Sequence, residues 1–226
     1  MNNVVESLKG FYKAAGFFLF LTAIFFLFGI ILNLTIKMPA GVNEGQLKLM
    51  AEQKILLQTT NTLYILADIF VILGIIGVYL SLINFKRNLA LIGAIIGILG
   101  AVLAIGLRFG VHSEVALCGE YVALPGEIVQ ASYLGAFELM KRTTDIGLMG
   151  ANILLGAGGL IIGTAMLSGV FNRKTAILFI VANILYIIGT IGSGIEPILR
   201  IVLFIAALLT IICMILIGLR LYKIGS

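Results

Sequence analysis

Charge is what this sequence lacks most. Only 11% of its 226 residues are charged and 61% are hydrophobic, with a mean hydropathy of +1.19. Soluble domains run at roughly 25% charged and 45–50% apolar. So few charges cannot cover the outside of a water-soluble fold, and lipid is the expected solvent for the exterior. Histidine is nearly absent too. His112 stands alone, which argues against haem held between two histidines and against multi-histidine metal hydrolases. Two cysteines, Cys118 and Cys213, form no C-x-x-C motif. One is expected in a polar loop and the other in an apolar run, so no bond between them is expected. No serine or cysteine stands in G-x-S-x-G, and no G-x-x-x-x-G-K-[ST] loop is present. Gly156-Ala157-Gly158-Gly159 lies inside an apolar segment and reads as a packing surface, not a phosphate cradle. His112, Glu114, Cys118 and Glu120 are each competent ligand types, but they lack a metal-binding spacing. No metal, no cofactor and no enzymatic activity are expected.

The charges that are present lie where membrane spans end. The net charge is +5 and the pI about 9.3, yet the basic residues cluster at the ends of apolar runs, which excludes a nucleic-acid partner. A helix rises about 1.5 Å per residue, so roughly 20 apolar residues cross a hydrocarbon core of about 30 Å. Six segments reach that length: 16–34, 63–83, 89–107, 144–167, 175–192 and 197–221. They are apolar on every face, whereas barrel strands would alternate. The first exceeds a signal-peptide core of about 7–15 residues and is expected to be a retained span. The expected fold is thus all-α, a single domain over 1–226: a polytopic integral membrane helical bundle of about six spans.

Two connections are short and dibasic, 84–88 with Lys86-Arg87 and 168–174 with Arg173-Lys174. With Lys9, Lys13, Arg220 and Lys223 they place eight basic residues against Glu6 on one side. Basic residues are nearly as numerous on the other side, Lys37 among them, but eight acids accompany them there. The short loops therefore set the expected topology: the cell membrane, multi-pass, with both termini cytoplasmic. The longer connections suggest two amphipathic helices on the outer face. Asn43-Glu44-Gly45-Gln46 has the form of a capping box, and Glu44, Lys48 and Glu52 follow at helical spacing. After Pro125-Gly126, Glu138–Arg142 and Lys141–Asp145 are i,i+4 pairs. Ile75-Ile76-Gly77, Phe85, Arg87 and Ala90 recur 86 residues later at Ile161-Ile162-Gly163, Phe171, Arg173 and Ala176, the pattern of a repeated hairpin.

Few polar residues interrupt the spans. Asn61 and Asp68 are seven apart, as are Asp145 and Asn152. Asn183, Tyr186 and Thr190 form one stripe that continues to Ser193. Two helical turns separate seven residues, so each set shares a face, and lipid drives such faces inward. Arg108 and Arg200, at the ends of other spans, are the candidate cations for Asp68. Asp68, Asn61, Asn152, Asn183, Thr190, Arg108 and Arg200 are the candidate binding residues. Gly93, Gly97 and Gly100 share a face of the third span, and Gly156, Gly159 and Gly163 a face of the fourth, as close-packed helix seams do.

The stretches Asn61-Thr62-Leu63-Tyr64-Ile65-Leu66-Ala67-Asp68, Asn88-Leu89-Ala90 and Gly218-Leu219-Arg220-Leu221-Tyr222 resemble a prokaryotic multi-span family, domain of unknown function 4386. The resemblance covers nearly the whole chain and implies the fold. That family has no assigned chemistry, so it supplies no site. The favoured expectation is a non-catalytic packing subunit or scaffold, with membrane lipid, a protein partner or a second copy meeting the Gly-rich faces. The alternative is a small-solute or ion transporter or binding protein using the polar centre around Asp68. A dry interior favours the first, and a water-sized cavity beside Asp68 the second.

Overall fold

A computed structural model of the chain describes residues 2–36, 43–123, 127–192 and 196–226. Lys37, Pro125-Gly126 and Ser193, named above, lie outside the described residues. Among the described residues there is no strand. The order is α1 (Asn2–Thr35), α2 (Glu44–Glu52), α3 (Lys54–Ala123), α4 (Glu127–Met166), α5 (Arg173–Gly192) and α6 (Pro197–Gly225). All but α2 are long and apolar enough to cross a membrane.

Helix α3 spans 70 residues but is not straight, because Lys86 leaves helical geometry with φ −136° and ψ 55°. The chain doubles back there. Asn61 reaches Arg108, and Ile75 lies against Gly97, so arms 54–85 and 87–123 run antiparallel. Each arm holds one expected span, and six apolar segments therefore occupy five helices. The dibasic pair supplies the turn: long cationic side chains stay exposed at a bend that no apolar residue has to cover.

Contacts close the elements into a ring. Helix α1 packs on α3 and α6, α3 on α4, α4 on α5, and α5 on α6. One end of the ring holds the bend of α3, the α4–α5 turn and the outer parts of α1 and α6. Tyr12 donates to the Leu80 carbonyl at 3.2 Å and Arg220 Nε to the Val170 carbonyl at 2.8 Å. Asn172 caps α5 by accepting from the Lys174 amide at 3.0 Å. The basic turns and the basic helix ends thus share one end of the molecule. Large apolar side chains on the outer faces, such as Phe28, Ile95, Leu99 and Ile188, are exposed, and hydrocarbon would solvate them where water would not.

The other end carries the cap. Helix α2 starts on Asn43, whose Oδ1 accepts from the Gln46 amide at 2.9 Å. The capping half of the expected box forms; the Gln46 side chain is instead buried. Lys48 pairs with Glu44 at 3.9 Å, Arg142 with Glu138 at 2.6 Å and Lys141 with Asp145 at 2.9 Å. The connection after residue 107, expected to be irregular, is instead a continuation of α3 to Ala123. Its buried stripe of Glu114, Val115, Cys118 and Tyr121 meets Leu47, Met50 and Phe137 in a core of its own. Burial of that stripe outweighs the polar residues that interrupt the apolar run. Cys118 is accordingly fully buried and not a loop residue, with Met50 Sδ at 4.0 Å. A second core of Tyr12, Leu19, Leu82, Met166, Cys213 and Leu221 fills the turn end. The site lies between the two cores.

The 86-residue repeat has a partial counterpart, in that both copies form hairpins. Their environments differ, however. Gly77 lies against Ala15 of α1, and Gly163 against Ile180 of its own returning helix. Phe85 is exposed and Phe171 buried.

Candidate functional site: a central cavity at an Asp68–Arg108 pair

Six of the seven candidate residues line two adjoining cavities, and the seventh holds one of those six. The inner cavity, of about 90 Å³, lies on the ring axis. Every element of the ring contributes to it: Thr22 from α1, Asp68 and Arg108 from the two arms of α3, Asn152 from α4, Asn183 from α5 and Thr210 from α6. Above it, toward the cap, a vestibule of about 870 Å³ is lined by Asp145, Thr190 and Arg200 among mostly apolar side chains. Phe26, Arg108, Asn152 and Tyr186 line both spaces and so form the neck between them.

Arg108 is the centre of the arrangement. Its Nε donates to Asp68 Oδ2 at 2.8 Å, with the two side chains 13% and 6% exposed. Its guanidinium lies 4.6 Å from the centre of the Tyr64 ring, a cation–π contact. Its carbonyl accepts from Asn61 Nδ2 at 2.6 Å. Of the two candidate cations, Arg108 is thus the partner of Asp68, while Arg200 lies higher, in the vestibule wall. A buried carboxylate needs such a partner because desolvation penalises an isolated charge.

Most other polar groups around the inner cavity are turned back onto their own helices. Thr22 donates to the Phe18 carbonyl at 2.9 Å, Asn183 to Phe179 at 2.7 Å and Thr210 to Ala206 at 2.8 Å. The walls are therefore apolar in effect. Among the described residues, the Asn152 carboxamide, the Tyr186 hydroxyl and the Arg108 Nη groups make no hydrogen bond. The neck is where unsatisfied donors face open space. Sequence reasoning missed Thr22, Phe26 and Tyr64. Helix α1 is apolar on all sides, so no periodicity marks the face on which Thr22 and Phe26 sit.

The set His112, Glu114, Cys118 and Glu120 does not converge. Glu114 and Cys118 are buried on one face of α3, while Glu120 is exposed, and no group of potential metal ligands occurs among the described residues. Burial and the nearby Glu114 push the Cys118 thiol up to about 11. Glu114 itself is held above its ordinary value of 4.5, chiefly by burial, with Thr144 and Lys141 acting in the opposite sense. Its Oε1 makes no hydrogen bond among the described residues. A carboxyl raised on folding leaves the fold most stable below its ordinary value and costs stability as pH rises through the folded value. Glu114→Gln removes that cost. The variant should melt a few degrees above wild type near pH 8 and converge with it below about pH 4. Melting curves in detergent across this range test it, and parallel curves would refute it.

Fold and cavity together define an all-α bundle with a polar neck at its centre. No protein-family model matches the chain, and neither the curated proteins nor the solved structures yield a match.

Proposed function

We propose that the chain is a multi-pass membrane protein that binds or transports a small solute or ion at its centre, with the neck at Arg108 as the site. One observation carries this reading: the cavity beside the Asp68–Arg108 pair, open toward the cap. Close-packed interiors leave few voids larger than a water molecule, and a bundle that only packs against partners has no use for donors aimed into one. Purification in mild detergent followed by mass spectrometry of co-purifying small molecules tests the reading. A solute retained by wild type and lost on filling the cavity with Val71→Phe supports it. If Val71→Phe stabilises the protein and only lipid or a partner protein co-purifies, the reading fails. The glycine seams favour that second reading, a packing subunit or scaffold.

The proposed orientation puts the basic end in the cytoplasm of a cell membrane, from the charge bias of the two short turns. Native Cys118 and Cys213 are both buried, so introduced cysteines report without interference. With a membrane-impermeant maleimide, exposed Glu44→Cys in the cap should label in intact cells. Exposed Asn88→Cys beside the bend should label only after lysis. The reverse pattern inverts the topology.

A further inference from the structure

The neck presents a cation at one end of a hole whose walls are mostly apolar. Arg108 spends its Nε on Asp68, which leaves four of the five guanidinium N–H donors. Below them the inner cavity is walled by Val71, Ile75, Ile162, Phe179 and Met214. Donors in a planar fork suit a carboxylate, which they meet through two parallel hydrogen bonds. The apolar walls suit a tail. The hole of about 90 Å³ is small beside ordinary ligand pockets of about 300–1,000 Å³, which keeps the tail short.

Charge balance adds a condition. Asp68 already neutralises Arg108, so an incoming carboxylate would leave two anions on one cation in a poorly solvated place, which is costly. A proton removes the excess. The titratable groups facing Asp68 are few: Arg108 from the returning arm, Tyr64 one turn earlier on its own arm, and Tyr186 from α5. Helices α1, α4 and α6 turn only neutral side chains into the inner cavity. Arginine stays protonated in proteins and tyrosine is already neutral near pH 7, so the proton falls to Asp68. We propose that the cavity binds a short-chain monocarboxylate, its head on the Arg108 Nη groups and its tail in the inner hole, together with one proton taken by Asp68. This rests on the cavity being a solute site.

The full-length protein in mild detergent is titrated with butyrate, butylammonium, 1-butanol and inorganic phosphate, with binding read from thermal shift or calorimetry. Butyrate stays anionic between about pH 6 and pH 8. Its Kd should fall up to tenfold for each pH unit lowered, since one proton enters with each ligand and the coupling is reciprocal. Asp68→Asn, which mimics the protonated carboxyl, should bind butyrate more tightly than wild type at pH 8 and without pH dependence. Val71→Phe should abolish binding with the ion pair intact, and it keeps the test decisive if Asp68→Asn does not fold. Butyrate binding that ignores pH in wild type overturns the proton. Butylammonium, butanol or phosphate binding as well as butyrate overturns the ligand class but leaves the cavity as a solute site. If none of the four binds, in wild type or in any variant, the inference falls. If no solute co-purifies either, the parent reading falls with it.

Discussion

Asp68→Asn is expected to lower the stability of the detergent-solubilised protein by about 3 kcal/mol at neutral pH. The variant keeps the shape of the side chain and removes its charge, leaving the Arg108 guanidinium buried without a counter-ion. Arg108 cannot swing out to water at little cost, because the Tyr64 ring lies 4.6 Å from its guanidinium and the side chain is only 13% exposed. For a chain of this length such a loss moves the melting temperature by on the order of 10 °C. Arg108→Gln should cost a similar amount by stranding the carboxylate. The double variant Asp68→Asn/Arg108→Gln should recover much of the loss, since removing both charges avoids an uncompensated one. Thermal melts of the four proteins give the coupling energy directly. An Asp68→Asn protein as stable as wild type at neutral pH would show that the pair does not act as a clasp.

The convergence around Arg108 was legible in the sequence because lipid allows little choice. A polar residue within a span has to turn inward, so Asp68, Asn152, Asn183 and Thr190 could be brought together from helical spacing alone. The choice of Arg108 over Arg200 could not be read, because both stand at span ends and only the packing of the two α3 arms decides. The cap was half legible. The i,i+4 pairs and Asn43 announced α2 and the start of α4, but residues 108–123 looked like a loop because hydropathy reports immersion in hydrocarbon and not helix. Glu114 and Cys118 are buried by protein, against Leu47, Met50 and Phe137, and such burial leaves no signature in a window average. The scaffold reading rests on the absence of motifs and on the glycine seams. An arrangement held by helix packing, such as the neck, has no motif, and its cavity exists only once six segments are assembled.

Both glycine faces dock on neighbouring helices, and a glycine outside them yields the second large effect. The third-span face of Gly93, Gly97 and Gly100 does dock on a neighbouring helix, lying against Gly158, Ile162, Ala151 and Leu155 of α4. The face of Gly156, Gly159 and Gly163 does not meet it. That face turns to Ile187, Asn183 and Ile180 of α5, so α4 carries two seams. Gly158, off the expected stripe, is the residue on which the α3–α4 seam closes: a Cβ there would press on the Gly97 backbone and lie 2.7 Å from the Gly93 carbonyl oxygen. Neither backbone can yield without the helices parting. A Cβ at Gly97 would instead meet the end of the Ile75 side chain at 3.3 Å, which a small rotation relieves. Alanine favours helix over glycine by about 1 kcal/mol, so propensity alone predicts that both Gly→Ala changes stabilise. Overpacking of about 1–3 kcal/mol should reverse the sign at Gly158 and leave Gly97→Ala within about 1 kcal/mol of wild type. Gly158→Leu, with a whole side chain to place between two backbones, should exceed both and melt well below Gly97→Leu. Melting temperatures of these four variants in one detergent decide the matter. A Gly158→Ala protein more stable than wild type would mean that the two helices stand apart and that the seam is not closed by backbone contact.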